Sequence, residues 1–207
     1  MTVPPFPAAF FSREDESADD AFYQQPRFVT HIDDATIDAL TAHYADVIPS
    51  GAQVLDLMSS WVSHLPPSLA LGRVAGLGMN AQELAGNLRL SDYLVHDLNR
   101  KPRLPYADDS FDCVLIAVSV QYLTKPLAVF ADIARVLRAG GAVIIAMSHR
   151  CFPTKAIRAF HGINGDLRMQ LVVEFLYRAG GFAPAQCIDC SPRGADPLWI
   201  VQAQTVS

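Results

Sequence analysis

Residues 93–118, YLVHDLNRKPRLPYADDSFDCVLIAV, together with RVLRAGGAVIIAM at 135–147, decide the fold of this 207-residue chain. The segment from Tyr93 to His96 is short, mostly apolar, and stops at Asp97. After an acidic turn, Cys113 to Val118 is a continuous apolar run, as expected of a strand covered on both faces. Pro126 suits the first turn of a helix, where its missing N–H costs nothing. Leu127, Phe130, Ile133, Ala134 and Leu137 then recur at helical spacing, Gly140-Gly141 stop the helix, and Ala142 to Met147 supply another buried strand. A strand, a crossover helix and a parallel strand make a right-handed unit, which places the chain among the α/β folds.

Working outward, Val54 to Leu57 and Arg73 to Leu77 read as two earlier strands. Between them Pro66-Pro67 forbid a helix running straight through. Ile32 to Val47 reads as a helix with Asp33 or Asp34 at its cap and Ile37, Leu40, Tyr44 and Val47 on its apolar face, so the motif His31-Ile32-Asp33-Asp34 is better explained as a helix start than as metal ligands. Downstream, Ser148 to Ala159 reads as a loop with a short helix. Leu167 to Ala179 is a helix closed by Gly180-Gly181, and Ala183 to Cys190 and Leu198 to Gln204 are two last strands. Residues 1 to about 22 are Pro- and Ala-rich and then acidic, which points to an arm or lid rather than core. The expected organisation is a single domain over 1–207, with 1–48 as the arm and first helix.

With 51% apolar residues the chain can bury one sizeable core. A net charge of −5 without a basic cluster argues against nucleic acid or an anionic membrane as partner. No uncharged run reaches membrane-spanning length, and MTVPPFPAAFF has no positive leader, so a soluble, cytoplasmic protein is expected. Cys187 and Cys190 form a C-x-x-C, but an offset of three along a strand puts the thiols on opposite faces, and no metal site is expected.

The middle of the chain resembles the class I S-adenosylmethionine-dependent methyltransferases, of the type 11-like kind. Asp97, Leu104-Pro105-Tyr106, Ser110-Phe111-Asp112 and Leu137-Arg138-Ala139-Gly140-Gly141 match that family's acid, LPF-like turn, SFD and L-x-x-GG in order and spacing. The resemblance implies a Rossmann-like, doubly wound, mostly parallel seven-stranded sheet with an antiparallel last strand. It also implies S-adenosyl-L-methionine as cofactor, and Asp97 as acceptor of a hydrogen bond from the adenine amino group.

Two departures stand beside the match. Val54-Leu55-Asp56-Leu57 keeps the first strand and its acid, but Met58, Ser59, Ser60, Trp61 and Val62 occupy the places of the family's glycines, which implies a differently shaped loop. At the end of the second strand Gly78 stands where the family has an acid for the ribose diol. An aspartate restored there would be expected to strengthen binding.

In open sheets of this kind ligands bind beyond the carboxyl ends of the strands. That rule, with the resemblance, selects Asp56, Met58, Ser59, Ser60, Gly78, Asn80, Asp97, Leu98 and Ser119 as candidate cofactor contacts. Asn80 with Glu83 equally makes an Asn-x-x-Glu helix start. Tyr122 and His149 are the candidate catalytic residues, placed to orient or deprotonate an acceptor, with Tyr23 and Arg27 as further acceptor contacts. The function expected is methyl transfer to a small molecule, or ligand binding by a non-catalytic relative that has lost the standard loop. The sequence leaves oligomeric state open.

Overall fold

A computed structural model describes residues 5–206. Strands β1 (Val54–Ser59), β2 (Val74–Gly78), β3 (Asp92–Val95), β4 (Phe111–Ala117), β5 (Leu137–Met147), β6 (Gln186–Asp189) and β7 (Trp199–Gln204) form a seven-stranded sheet of order β3-β2-β1-β4-β5-β7-β6. The first five strands pair in parallel, and β7 runs antiparallel to both β5 and β6. The order reverses between β1 and β4, so the crevice expected of a doubly wound sheet lies above those two strands.

The helices are α1 (Asp19–Phe22), α2 (Asp34–Val47), α3 (Ala81–Gly86), α4 (Pro126–Val136) and α5 (Gly165–Ala179). The continuous apolar runs of the central strands are split by strand periodicity into two cores. Val114 and Ile116 of β4, with Val143 and Ile145 of β5, face Phe130 of α4 and Phe175 of α5. Their neighbours Cys113, Leu115 and Ile144 belong to the opposite core with Leu40 and Tyr44 of α2. Asp33 caps α2 by accepting from Thr36 N at 2.9 Å, and Gly180, at φ 76°, ends α5.

The crossover from β1 to β2 contains no helix, in keeping with Pro66-Pro67. The helix expected to run to Gly140 ends instead at Val136. Leu137 leaves it to pair with Phe111, where its side chain is 2% exposed, so burial beside β4 outweighs helical spacing. Gly140, at φ 74°, then lies inside the long strand rather than beyond a helix. The region 148–159, expected to hold a short helix, has only a 3-10 turn at Arg158–Phe160.

The arm lies against the body of the domain. Phe6 and Phe11 sit 5.4 Å and 6.1 Å from the Phe175 ring, so its apolar start is packed onto α5. Its acidic part is fastened by Lys155, which is fully buried; Nζ donates to Ser17 O at 2.7 Å and lies 3.1 Å from Asp15 and 3.3 Å from Asp19. Among the described residues no helix is long and apolar enough to cross a membrane.

Candidate functional site

A cavity of about 320 Å³ opens beyond the carboxyl ends of β1 to β4. Met58 and Ser59 end β1 and Ser60 follows it, Leu77 and Gly78 close β2, His96, Asp97 and Leu98 follow β3, and Ala117 ends β4 with Val118 and Ser119 just beyond. The arm covers it with Asp19, Tyr23, Arg27 and Val29 to His31, and Arg150, Cys151 and Phe152 form a further wall. Of the residues selected from sequence, Asp56, Met58, Ser59, Ser60, Gly78, Asp97, Leu98, Ser119 and Tyr122 line this space, whereas Asn80 and His149 do not.

The end of β1 keeps a left-handed backbone without glycine. Met58 has φ 59°, and the pairing of β1 with β2 skips it, passing from Leu57 opposite Leu77 to Ser59 opposite Gly78. Val118 at the end of β4 has φ 51° and His64 has φ 54°, so three of the four described non-glycine residues with positive φ line the cavity. Such conformations cost roughly 1–3 kcal/mol each and collect where a site demands a particular backbone.

The two serines turn away from the role of ligand donors. Ser59 Oγ and Ser63 Oγ each donate to Asp56 Oδ2 at 2.6 Å, and Ser60 Oγ donates to Glu83 Oε2 at 2.6 Å. Asp56 is thus a buried brace beneath the loop. Burial pushes its carboxyl up to about 6, against the lowering effect of the two hydroxyls. A group whose folded pKa is raised favours the fold most below its unfolded value near 3.8, and that contribution is lost as pH rises through about 6. Asp56→Asn is therefore expected to flatten the loss of stability between pH 4 and pH 6, an effect on the order of 2 kcal/mol, in urea melts taken across that range. Parallel pH profiles for the two proteins would contradict it.

At the end of β2 the geometry corrects one expectation and, for Asn80, decides between the two readings its sequence context allowed. A Cβ on Gly78 would stand 2.1 Å from Ser59 O, so the position admits no side chain, and an acid cannot be restored there. Asn80 is the cap of α3: its Oδ1 accepts from Gln82 N and Glu83 N, while Nδ2 donates to Tyr23 O and Gln24 O. Glu83, read from sequence only as a capping partner, faces the cavity. Its Oε1 accepts from Arg27 N at 2.7 Å, so this carboxylate ties the β1 loop to the arm. Trp61 donates from Nε1 to Val29 O at 2.9 Å and meets Phe28 edge-on, pinning the arm and leaving the cavity open beside it.

After β3, Asp97 Oδ1 accepts from Asn99 N at 2.8 Å and Arg100 N at 3.2 Å, which fixes the turn, while Oδ2 has no hydrogen bond among the described residues. Asn99, unremarked in the sequence, joins three parts of the wall. Nδ2 donates to Asp19 Oδ2 and Tyr122 O, and Oδ1 accepts from Thr124 N.

On the far wall, Ser119 Oγ and His64 Nδ1 are buried without hydrogen-bond partners among the described residues. Burial pushes His64 down to about 4, so its imidazole is neutral at pH 7. Tyr122 accepts from Phe152 N at 2.8 Å and stacks on the Phe152 ring; burial pushes its phenol up to about 12, so it can orient a ligand but is protonated at neutral pH. His149 is turned outward, half-exposed, with Nε2 3.3 Å from Asp196 Oδ1.

Residues 68–145 match the sequence model of a methyltransferase domain. No curated protein matches the chain. Among solved structures it is similar to an S-adenosylmethionine-dependent methyltransferase from Mesorhizobium loti, at 17% identity over 81% of this chain and 99% of that one, with a TM-score of 0.59. It is also similar to phosphoethanolamine N-methyltransferase 2 of Haemonchus contortus, solved with S-adenosyl-L-methionine, at 15% identity over 84% of this chain and 52% of that one, TM-score 0.59. A third similar structure is the [4+2]-cyclase SpnF, at 17% identity over 82% of this chain and 81% of that one, TM-score 0.60, so the fold alone does not fix a reaction. The match over residues 68–145 is thus to a methyltransferase domain model, and the sheet that these residues belong to has the fold of the class I methyltransferases.

Proposed function

We propose that this protein is a cytoplasmic, S-adenosylmethionine-dependent methyltransferase acting on a small-molecule acceptor. The observation that carries the reading is the cavity at the reversal of strand order, with a carboxylate oxygen of Asp97 free of partners among the described residues at its β3 corner. The residues present fit the cofactor. Asp97 Oδ2 suits an adenine amino group and the unpartnered Ser119 hydroxyl offers a further contact, while the Glu83 carboxylate on the β2 side is engaged by Arg27 N and Ser60 Oγ. Gly78, Met58 and Leu98 contribute surface rather than hydrogen-bonding side chains.

The bound cofactor supplies an electrophilic methyl group. What remains for the protein is alignment and exclusion of water. Tyr122 and Phe152 present a stacked aromatic wall, Asn99 fixes the distance between the β3 and β4 corners, and the arm roofs the cavity. A volume of about 320 Å³ lies at the low end of ligand pockets, which supports a small acceptor. The commitment of the Ser59 and Ser60 hydroxyls to Asp56 and Glu83 favours the second reading, a non-catalytic binding relative.

Calorimetric titration with S-adenosylmethionine and S-adenosylhomocysteine tests the proposal. Saturable binding of both is expected, and no binding of either would leave no cofactor for transfer. Asp97→Ala should weaken both by on the order of 1–3 kcal/mol, the cost of losing a hydrogen bond to a charged group. Unchanged affinity would remove Asp97 from the site.

A further inference from the structure

Two arginines line the cavity, and they are in opposite states. Arg150 is engaged, with Nε 3.0 Å from both carboxylate oxygens of Asp196. Arg27 has no carboxylate partner among the described residues. Its NH2 donates to Phe22 O at 3.0 Å, and its NH1 is buried with no hydrogen-bond partner. The guanidinium lies 4.6 Å from the centre of the Phe22 ring, 5.3 Å from Phe152 and 5.9 Å from Tyr23, so aromatic faces hold it in place and leave its edge for bonding.

The neighbouring acids are occupied elsewhere. Asp19 is taken by Arg13, Asn99 and Lys155, and the oxygens of Glu83 accept from the Arg27 main chain and from Ser60. A fixed guanidinium with a buried, unpartnered N–H, on a residue that lines the cavity and with no counter-ion among the described residues, is chemistry matched to an anionic oxygen.

We propose that Arg27 holds a carboxylate or phosphoryl group of the molecule bound beneath the arm. Naming that molecule as the methyl acceptor rests on the methyltransferase reading. The anion's other source would be the amino-acid carboxylate of the cofactor.

The test is calorimetric titration of the wild type, Arg27→Gln and Arg27→Lys with acetate, inorganic phosphate and the neutral acetamide, each against free and S-adenosylhomocysteine-saturated protein, with thermal melts to confirm folding. Saturable binding of acetate or phosphate but not acetamide is expected, weakened about tenfold or more in Arg27→Gln and less in Arg27→Lys, which keeps the charge but not the fork. Anions that fail to bind the wild type, or bind all three proteins equally, overturn the proposal. Should Arg27→Gln fail to fold, Arg27→Lys decides, and unaltered anion binding there overturns it.

Titration with S-adenosylhomocysteine and with 5′-methylthioadenosine, which lacks the carboxylate, separates the two sources. Equal retention of both in Arg27→Gln supports an acceptor anion, whereas loss confined to S-adenosylhomocysteine assigns Arg27 to the cofactor and overturns the acceptor assignment. Absence of any S-adenosylhomocysteine binding sinks the methyltransferase reading alone, since anion titration of the free protein still decides Arg27.

Discussion

Gly78→Asp is expected to cost the protein at least ~3 kcal/mol of stability, enough to unfold much of the population of a marginally stable domain, rather than to improve its hold on a ribose. The cause is the Cβ and not the charge. Ser59 pairs with Gly78 across the parallel β1–β2 ladder, and the Ser59 carbonyl occupies the space any side chain there would need, at 2.1 Å from an ideal Cβ. A backbone oxygen held in a sheet cannot swing aside as a flexible side chain can. Gly78→Ala is therefore expected to lose nearly as much as Gly78→Asp in urea unfolding. An alanine variant within about 1 kcal/mol of wild type would refute the close approach and reopen the position to an acid.

Lys155→Ala should be the other large effect, at about 3 kcal/mol, because it strands charge that the fold has buried. Asp19 is only 6% exposed and would keep Arg13 but lose the ammonium, while Ser17 O would lose its donor. The loss falls on the segment that roofs the cavity, so protease cleavage between residues 13 and 31 should quicken along with a lower melting temperature. An unchanged cleavage rate would mean that Phe6 and Phe11 hold the arm without help. Acid should act on the same attachment. Hydrogen bonds from Ser17, with Lys155 beside it, hold Asp15 down at about 2, so its contribution is present above its unfolded value of 3.8 and disappears as pH falls toward 2.

The sheet was legible because its signals are local. The run Cys113 to Val118 is apolar at every position since both faces of β4 are covered, and Asp33 announces a helix by a bond to an N–H three residues away. The early end of α4 was not, because it depends on Leu137 meeting Phe111, a partner 26 positions earlier in the chain. The same distinction runs through the site. Met58, Gly78, Asp97 and Ser119 are strand ends and follow from topology. Glu83, His64 and Asn99 reach the cavity from a helix turn and from loops, where the direction of a side chain is set by tertiary partners such as the Arg27 main chain or Asp19. Asn80 and His149 lie near strand ends in sequence, yet one is spent on a cap and the other faces solvent.

Met58 and Val118 hold left-handed backbone at two corners where glycine would do so without strain. A glycine explores more conformations than either residue in the unfolded chain, so its ordering would cost more entropy than theirs. The glycine-free corners thus exchange freedom before folding for tension after it. A ligand entering this crevice meets main chain whose shape is already set, and little of its binding energy is spent on ordering the loop. Narrow selectivity follows from that rigidity: these corners cannot reshape themselves around a second kind of guest.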